Sequence, residues 1–111
     1  MKTIATIEDE LKRQITDTLV PLQTFQGVDV DGLGALVRLA TEAAEELCGR
    51  HDLPRSLLNE IYVTVQILRA EAKYHHGPEL ERAANDLENV FALILRGEVP
   101  GDRKPGVPRT V

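Results

Sequence analysis

Residues 57–76 read Leu57-Leu58-Asn59-Glu60-Ile61-Tyr62-Val63-Thr64-Val65-Gln66-Ile67-Leu68-Arg69-Ala70-Glu71-Ala72-Lys73-Tyr74-His75-His76, and the spacing of their apolar positions decides the fold class. Leu57, Ile61, Val65, Leu68 and Ala72 recur every three or four residues and continue to His75, as one face of an α-helix requires. A second row, Val63, Ile67, Ala70 and Tyr74, projects roughly opposite the first. Glu60, Thr64 and Glu71 lie on one flank between the rows, and Asn59, Gln66 and Lys73 on the other. The pattern predicts a helix that begins at Asp52 or Ser56, tolerates Pro54 in its first turn, ends at Gly77-Pro78 and is buried on two sides.

Three more helices follow from the flanking sequence. The first is expected from Thr6, as N-cap, to Val20, with Glu8, Asp9 and Glu10 in an acidic first turn and Pro21 breaking the pattern. Ile7, Leu11, Ile15 and Leu19 share its core face. The connection from Pro21 to Val30 carries Leu22, Phe25, Val28 and Val30, too apolar for a freely solvated loop, and should fold over one end of the core. Asp31 or Asp29 caps a second helix that runs to about Cys48 and stops at Gly49. Its wide apolar arc includes Leu33, Leu36, Val37, Leu39, Ala40, Ala43, Ala44, Leu47 and Cys48. The fourth helix starts at Pro78 or Glu79 and runs to Arg96, burying Leu80, Ala83, Ala84, Leu87, Val90, Phe91, Ile94 and Leu95. Residues 97–111, with three Gly and three Pro, are expected to form a flexible tail.

Four amphipathic helices joined by short connections define an all-α chain, read as a single antiparallel four-helix bundle over residues 1–96, the alternative being a helical hairpin pair completed only by a second copy of the chain. No stretch alternates as a half-buried strand does, and only four aromatic residues are present. At 111 residues the chain is long enough for one core and too short for two ordinary domains.

Composition removes several functions. The net charge of −5 argues against broad phosphate neutralisation and against an acidic membrane surface. The single Cys48 cannot form an internal disulfide, and no run approaches the roughly 20 apolar residues that span a bilayer. The expected compartment is a reducing cytoplasm.

No motif for a cofactor or metal is complete. Glu42-Ala43-Ala44-Glu45 resembles half of the Mg²⁺ cluster of the all-α nucleoside triphosphate pyrophosphohydrolases, but the later Glu-x-x-Asp is missing: Val63 follows Glu60 and Tyr74 follows Glu71 at the required position. Asp29-Val30-Asp31-Gly32 departs from a calcium loop, with Gly32 too early and Ala40 in place of the closing Glu. Gly32-Leu33-Gly34 lacks the third glycine of a dinucleotide fingerprint. Glu71 and His75, four apart, suit a salt bridge. Cys48, on the apolar arc beside Glu45 and Glu46, is expected to be a buried or unactivated thiol. Neither cofactor nor metal is therefore expected.

Arg69 followed by His75 or His76 resembles the Arg-x(4–6)-His motif of the HEPN ribonuclease superfamily, whose members are four-helix domains that pair to build a composite site. The resemblance covers nine residues and departs from the family at Ala70, where a polar residue is common. It implies a histidine acting as general acid or base on RNA and an arginine stabilising phosphate charge. A seven-residue separation on a helix would bring Arg69 and His76 within about 20° of one another. Without that chemistry, Arg69, Lys73, His75 and His76 form a basic helix end complementing the dipole.

The apolar row of Val63, Ile67, Ala70 and Tyr74 is the surplus a monomeric bundle need not bury. It nominates a self-association or partner surface, unless the chain's own Pro21 to Val30 connection or part of its tail packs on it. The expected function is that of a small non-enzymatic helical protein, homodimeric and acting through protein–protein interaction, with the HEPN-like ribonuclease as the alternative.

Overall fold

The computed structural model describes residues 2–98. Among them are four α-helices, α1 (Ile4–Gln23), α2 (Val30–Leu47), α3 (Arg55–Glu71) and α4 (Glu79–Arg96), with a 3-10 turn at Ala72–Tyr74 and no strand. The all-α four-helix bundle is as the periodicities require. Of the tail assigned to residues 97–111, everything after Glu98 lies outside the described residues.

The ends of the helices depart from the sequence reading where a competing contact wins. α1 begins three residues earlier, because the Thr3 hydroxyl, not Thr6, caps it by accepting from the Thr6 backbone N–H at 3.2 Å. Pro21 does not break α1 but sits inside its last turn. The ring removes one backbone donor there, while the extra turn buries Leu22 completely. Burying a leucine contributes about 1.5–3 kcal/mol, comparable with the cost of the proline. The Pro21 to Val30 connection is consequently shorter than expected and covers less of the core. Val28 packs on the core, while Phe25 and Val30 are exposed.

Asp29, rather than Asp31, caps α2, accepting from the Gly32 N–H at 2.9 Å. Gly32 is buried at a close approach of the two first helices: a Cβ there would stand 2.5 Å from both the Thr18 hydroxyl and the Asp29 carboxylate. α3 starts after Pro54 with no side-chain cap. Ser56, an alternative start in the sequence, instead donates its hydroxyl to Glu8 Oε2 at 2.6 Å and ties α3 to α1. α4 spans the predicted residues and ends at left-handed Gly97, with Gly97 N–H bonding Ile94 C=O and Glu98 N–H bonding Leu93 C=O.

Helices consecutive within each half run antiparallel. Lys2 before α1 reaches Glu42 late in α2, and Arg69 late in α3 reaches Glu81 early in α4. The two hairpins then pack side by side, α2 against α4 and, less extensively, α1 against α3. These cross-hairpin neighbours run parallel. Val30 and Leu33 at the start of α2 share a cleft with Glu79 and Arg82 at the start of α4, and Cys48 after α2 bonds Gly97 after α4. The alanines Ala40, Ala43 and Ala44 of α2 are fully buried, and their small size allows α1 and α4 to close on α2. Leu36, Leu57, Leu68 and Leu87 are completely buried along the length of the core.

Candidate functional site

α3 is held inward by Leu57, Ile61, Thr64, Val65 and Leu68, all buried. Thr64 belongs to this set although the sequence places it on a polar flank. Its hydroxyl donates to the Glu60 carbonyl at 2.7 Å, which satisfies it without water and leaves its methyl in the core.

The opposite surface of α3 is distinctive. From Ser56 to Ala72 its exposed residues are Ser56, Asn59, Tyr62, Val63, Gln66 and Ala70, and none carries charge. In a chain with 28% charged residues, a helix face of this length without one is a compositional departure that matches the centre of protein interfaces, where charged residues are depleted and tyrosine is enriched. Of the predicted row, Val63, Ala70 and Tyr74 are exposed, Tyr74 by 69%, while Ile67 is half-buried and packs on the core. Tyr74 lies in the 3-10 turn beyond the α-helix. Tyr62, absent from the predicted row, is 54% exposed and its ring lies 6.2 Å from that of Phe91. Leu95 of α4, expected in the core, is also exposed.

The Pro21 to Val30 connection does not cover this face. Its one exposed aromatic residue, Phe25, has a left-handed backbone (φ 58°) and stacks on His75 with ring centroids 6.1 Å apart.

The segment carrying the Arg-x-His spacing is divided between two neighbours. Arg69 Nη1 donates to Glu81 Oε2 at 3.2 Å and to Asn85 Oδ1 at 3.0 Å, and Nη2 donates to Glu88 Oε1 at 2.7 Å, all on α4. His75 Nε2 lies 3.3 Å from Glu71 Oε1, the predicted i,i+4 pairing. The α-helix ends at Glu71 and His75 has an extended backbone (φ −130°), so the helical relation expected between Arg69 and His76 does not exist. Arg69 faces α4, His75 faces Phe25 and His76 is exposed: the structure does not bring the three together.

Cys48 is exposed, not buried. It follows the last α2 residue with a non-helical backbone (φ −56°, ψ 125°), which takes its side chain off the apolar arc, and its thiol donates to the Gly97 carbonyl at 3.3 Å. In the C-terminal half of α2, Glu42 accepts from Lys2 at 3.3 Å, and Lys2 donates to Glu10 at 2.8 Å; these bonds, that to Glu10 foremost, raise the Lys2 pKa above the ordinary 10.5. Glu42 is therefore engaged in a cross-helix ion pair. Among the described residues no three His, Cys, Asp or Glu side chains gather closely enough to hold a metal ion, and no helix is long and apolar enough to cross a membrane.

The class these observations define is a small all-α bundle whose outer helix carries an uncharged exposed run from Ser56 to Ala72, between exposed Arg55 and Lys73. No known protein family, curated protein or solved structure matches the chain.

Proposed function

We propose that this chain is a non-enzymatic, cytoplasmic protein that works through protein–protein interaction, and that it pairs with a second copy of itself through the outer face of α3. The uncharged run of Ser56, Asn59, Tyr62, Val63, Gln66 and Ala70 carries this reading. Two copies of a chain with net charge −5 repel wherever carboxylates meet, and an uncharged face is where they approach without that cost. Tyr62 and Tyr74, both more than half exposed, supply large apolar area with little rotamer entropy to lose. A two-fold contact uses the same patch on both partners, so one helix face suffices.

Arg69 supports the same assignment over the ribonuclease alternative. With two carboxylates and an amide already on its guanidinium, it offers no free fork to a phosphate.

Sedimentation velocity over a range of concentrations tests the proposal. Wild type should shift from monomer to dimer as concentration rises, and Val63→Asp with Ala70→Asp, both at exposed positions, should keep the helical spectrum and remain monomeric. A wild-type chain that stays monomeric at high concentration overturns the proposal. So does a doubly substituted chain that still dimerises.

A further inference from the structure

A cleft of about 270 Å³ opens between the N-terminal halves of α2 and α4. Its α2 wall is Val30, Leu33, Gly34 and Val37, wholly apolar, and its α4 wall is Ala83 with Glu79, Arg82 and Asp86. Two observations set it apart from an ordinary seam between helices. Gly34 stands inside a helix at a place where a Cβ would meet nothing within 4 Å, so neither close packing nor a left-handed backbone calls for glycine. Glycine there weakens the helix by about 1 kcal/mol relative to alanine, and its structural consequence is an unfilled place on the exposed part of the α2 wall, above buried Leu33 and Ala83. Val30, at the rim, is 56% exposed.

The charged wall has an order. Glu79, Arg82 and Asp86 are spaced three and four apart and so share one side of α4, presenting negative, positive and negative groups in turn. None of the three forms an ion pair among the described residues. A ligand that complements this wall carries an anion for Arg82 beside a cation for Asp86 or Glu79, and an apolar group for Val30, Leu33 and Val37.

We propose that this cleft binds a small zwitterion of the apolar α-amino acid class. The ligand carboxylate pairs with the Arg82 guanidinium, its ammonium with the Asp86 carboxylate, and its branched side chain lies over Gly34 against the α2 wall. The volume is at the small end of ligand pockets and suits one amino acid rather than a larger cofactor. The site is separate from the outer face of α3, because α3 contributes no residue to its lining.

Nuclear magnetic resonance titration of the full chain with L-leucine tests this, with 4-methylpentanoate and 3-methylbutylammonium as controls that each lack one charge. Saturable shifts at Leu33, Gly34, Val37 and Ala83 are expected with leucine. Each control should bind at least about tenfold more weakly, the loss of one charge-assisted hydrogen bond. Gly34→Leu, which puts a side chain into the space on the α2 wall, should abolish the leucine shifts, and Asp86→Asn, an exposed change that leaves the fold intact, should weaken leucine but not 4-methylpentanoate. No shift at millimolar leucine, equal binding of either control, or binding that survives Gly34→Leu overturns the proposal.

Discussion

Nη2 of Arg69 lies 2.7 Å from Oε1 of Glu88, so the guanidinium that the Arg-x-His spacing offers to a phosphate is bonded across to the neighbouring helix. Arg69 is 30% exposed and its partners more so, which limits the pairing to about 1 kcal/mol by the behaviour of surface ion pairs. Arg69→Ala should lower the unfolding free energy measured in urea by that amount, and a double-mutant cycle with Glu88→Ala should recover most of it as coupling. Arg69→Lys, with one point charge in place of a fork, should not restore the full value. The Arg69→Ala, His76→Ala chain should leave an RNA substrate as intact as wild type does.

Two glycines in α2 should respond in opposite directions. Gly32→Ala forces a methyl to 2.5 Å from the Thr18 hydroxyl and the Asp29 carboxylate, disturbing the cap and the α1–α2 contact together. A loss of about 1–3 kcal/mol is expected from such overpacking. Gly34→Ala meets open space and should stabilise the helix by up to about 1 kcal/mol. Thermal melts of the two variants against wild type give both signs.

Leu36 is fully buried at the centre of the bundle, and Leu36→Ala should cost about 2–5 kcal/mol in chemical denaturation. Val37, next to it and only half-buried, faces the α2–α4 cleft, and Val37→Ala should cost about 1 kcal/mol or less.

Lys2 links stability to alkaline pH. Its bonds to Glu10 and Glu42 raise its folded pKa above the unfolded 10.5, so the fold favours the charged amine. That contribution is fully present below pH 10.5 and is lost as the pH rises through the raised value. The melting-temperature difference between wild type and Lys2→Gln should therefore stay constant below this range and shrink above it.

Cys48 should react at once with a thiol reagent in the native state, one equivalent per chain, since it is the sole cysteine and exposed. A buried thiol would wait for unfolding.

Legibility of the fold followed the strength of each local signal. Where apolar periodicity and a terminator agreed, as over Glu79 to Arg96 before Gly97, the element was readable to the residue. Where two cappers competed, Thr3 won over Thr6 because the earlier start brings Ile4 onto the core, and Asp29 won over Asp31 because its carboxylate reaches the Gly32 N–H. Pro21 misled because a proline's local cost is visible in sequence and the compensating burial of Leu22 is not. Of the predicted interface row, Val63, Ala70 and Tyr74 are at the surface as their spacing implied, whereas Ile67 lies at an angle that a bundle with α1 beside α3 partly covers. Tyr62 was not legible, since its exposure depends on how α4 packs, with Phe91 at one edge of its ring.

The sequence by itself determined four amphipathic helices and their core faces, because a 3.6-residue repeat of apolar side chains has one way to be buried. The tertiary structure alone decided that α2 lies beside α4, that Arg69 bonds Glu81 and Glu88, and that the exposed residues between Ser56 and Ala72 carry no charge. Periodicity states which side of a helix turns inward but not which helix stands opposite. The partners of every charged side chain, and the residues left for solvent, follow from that second choice.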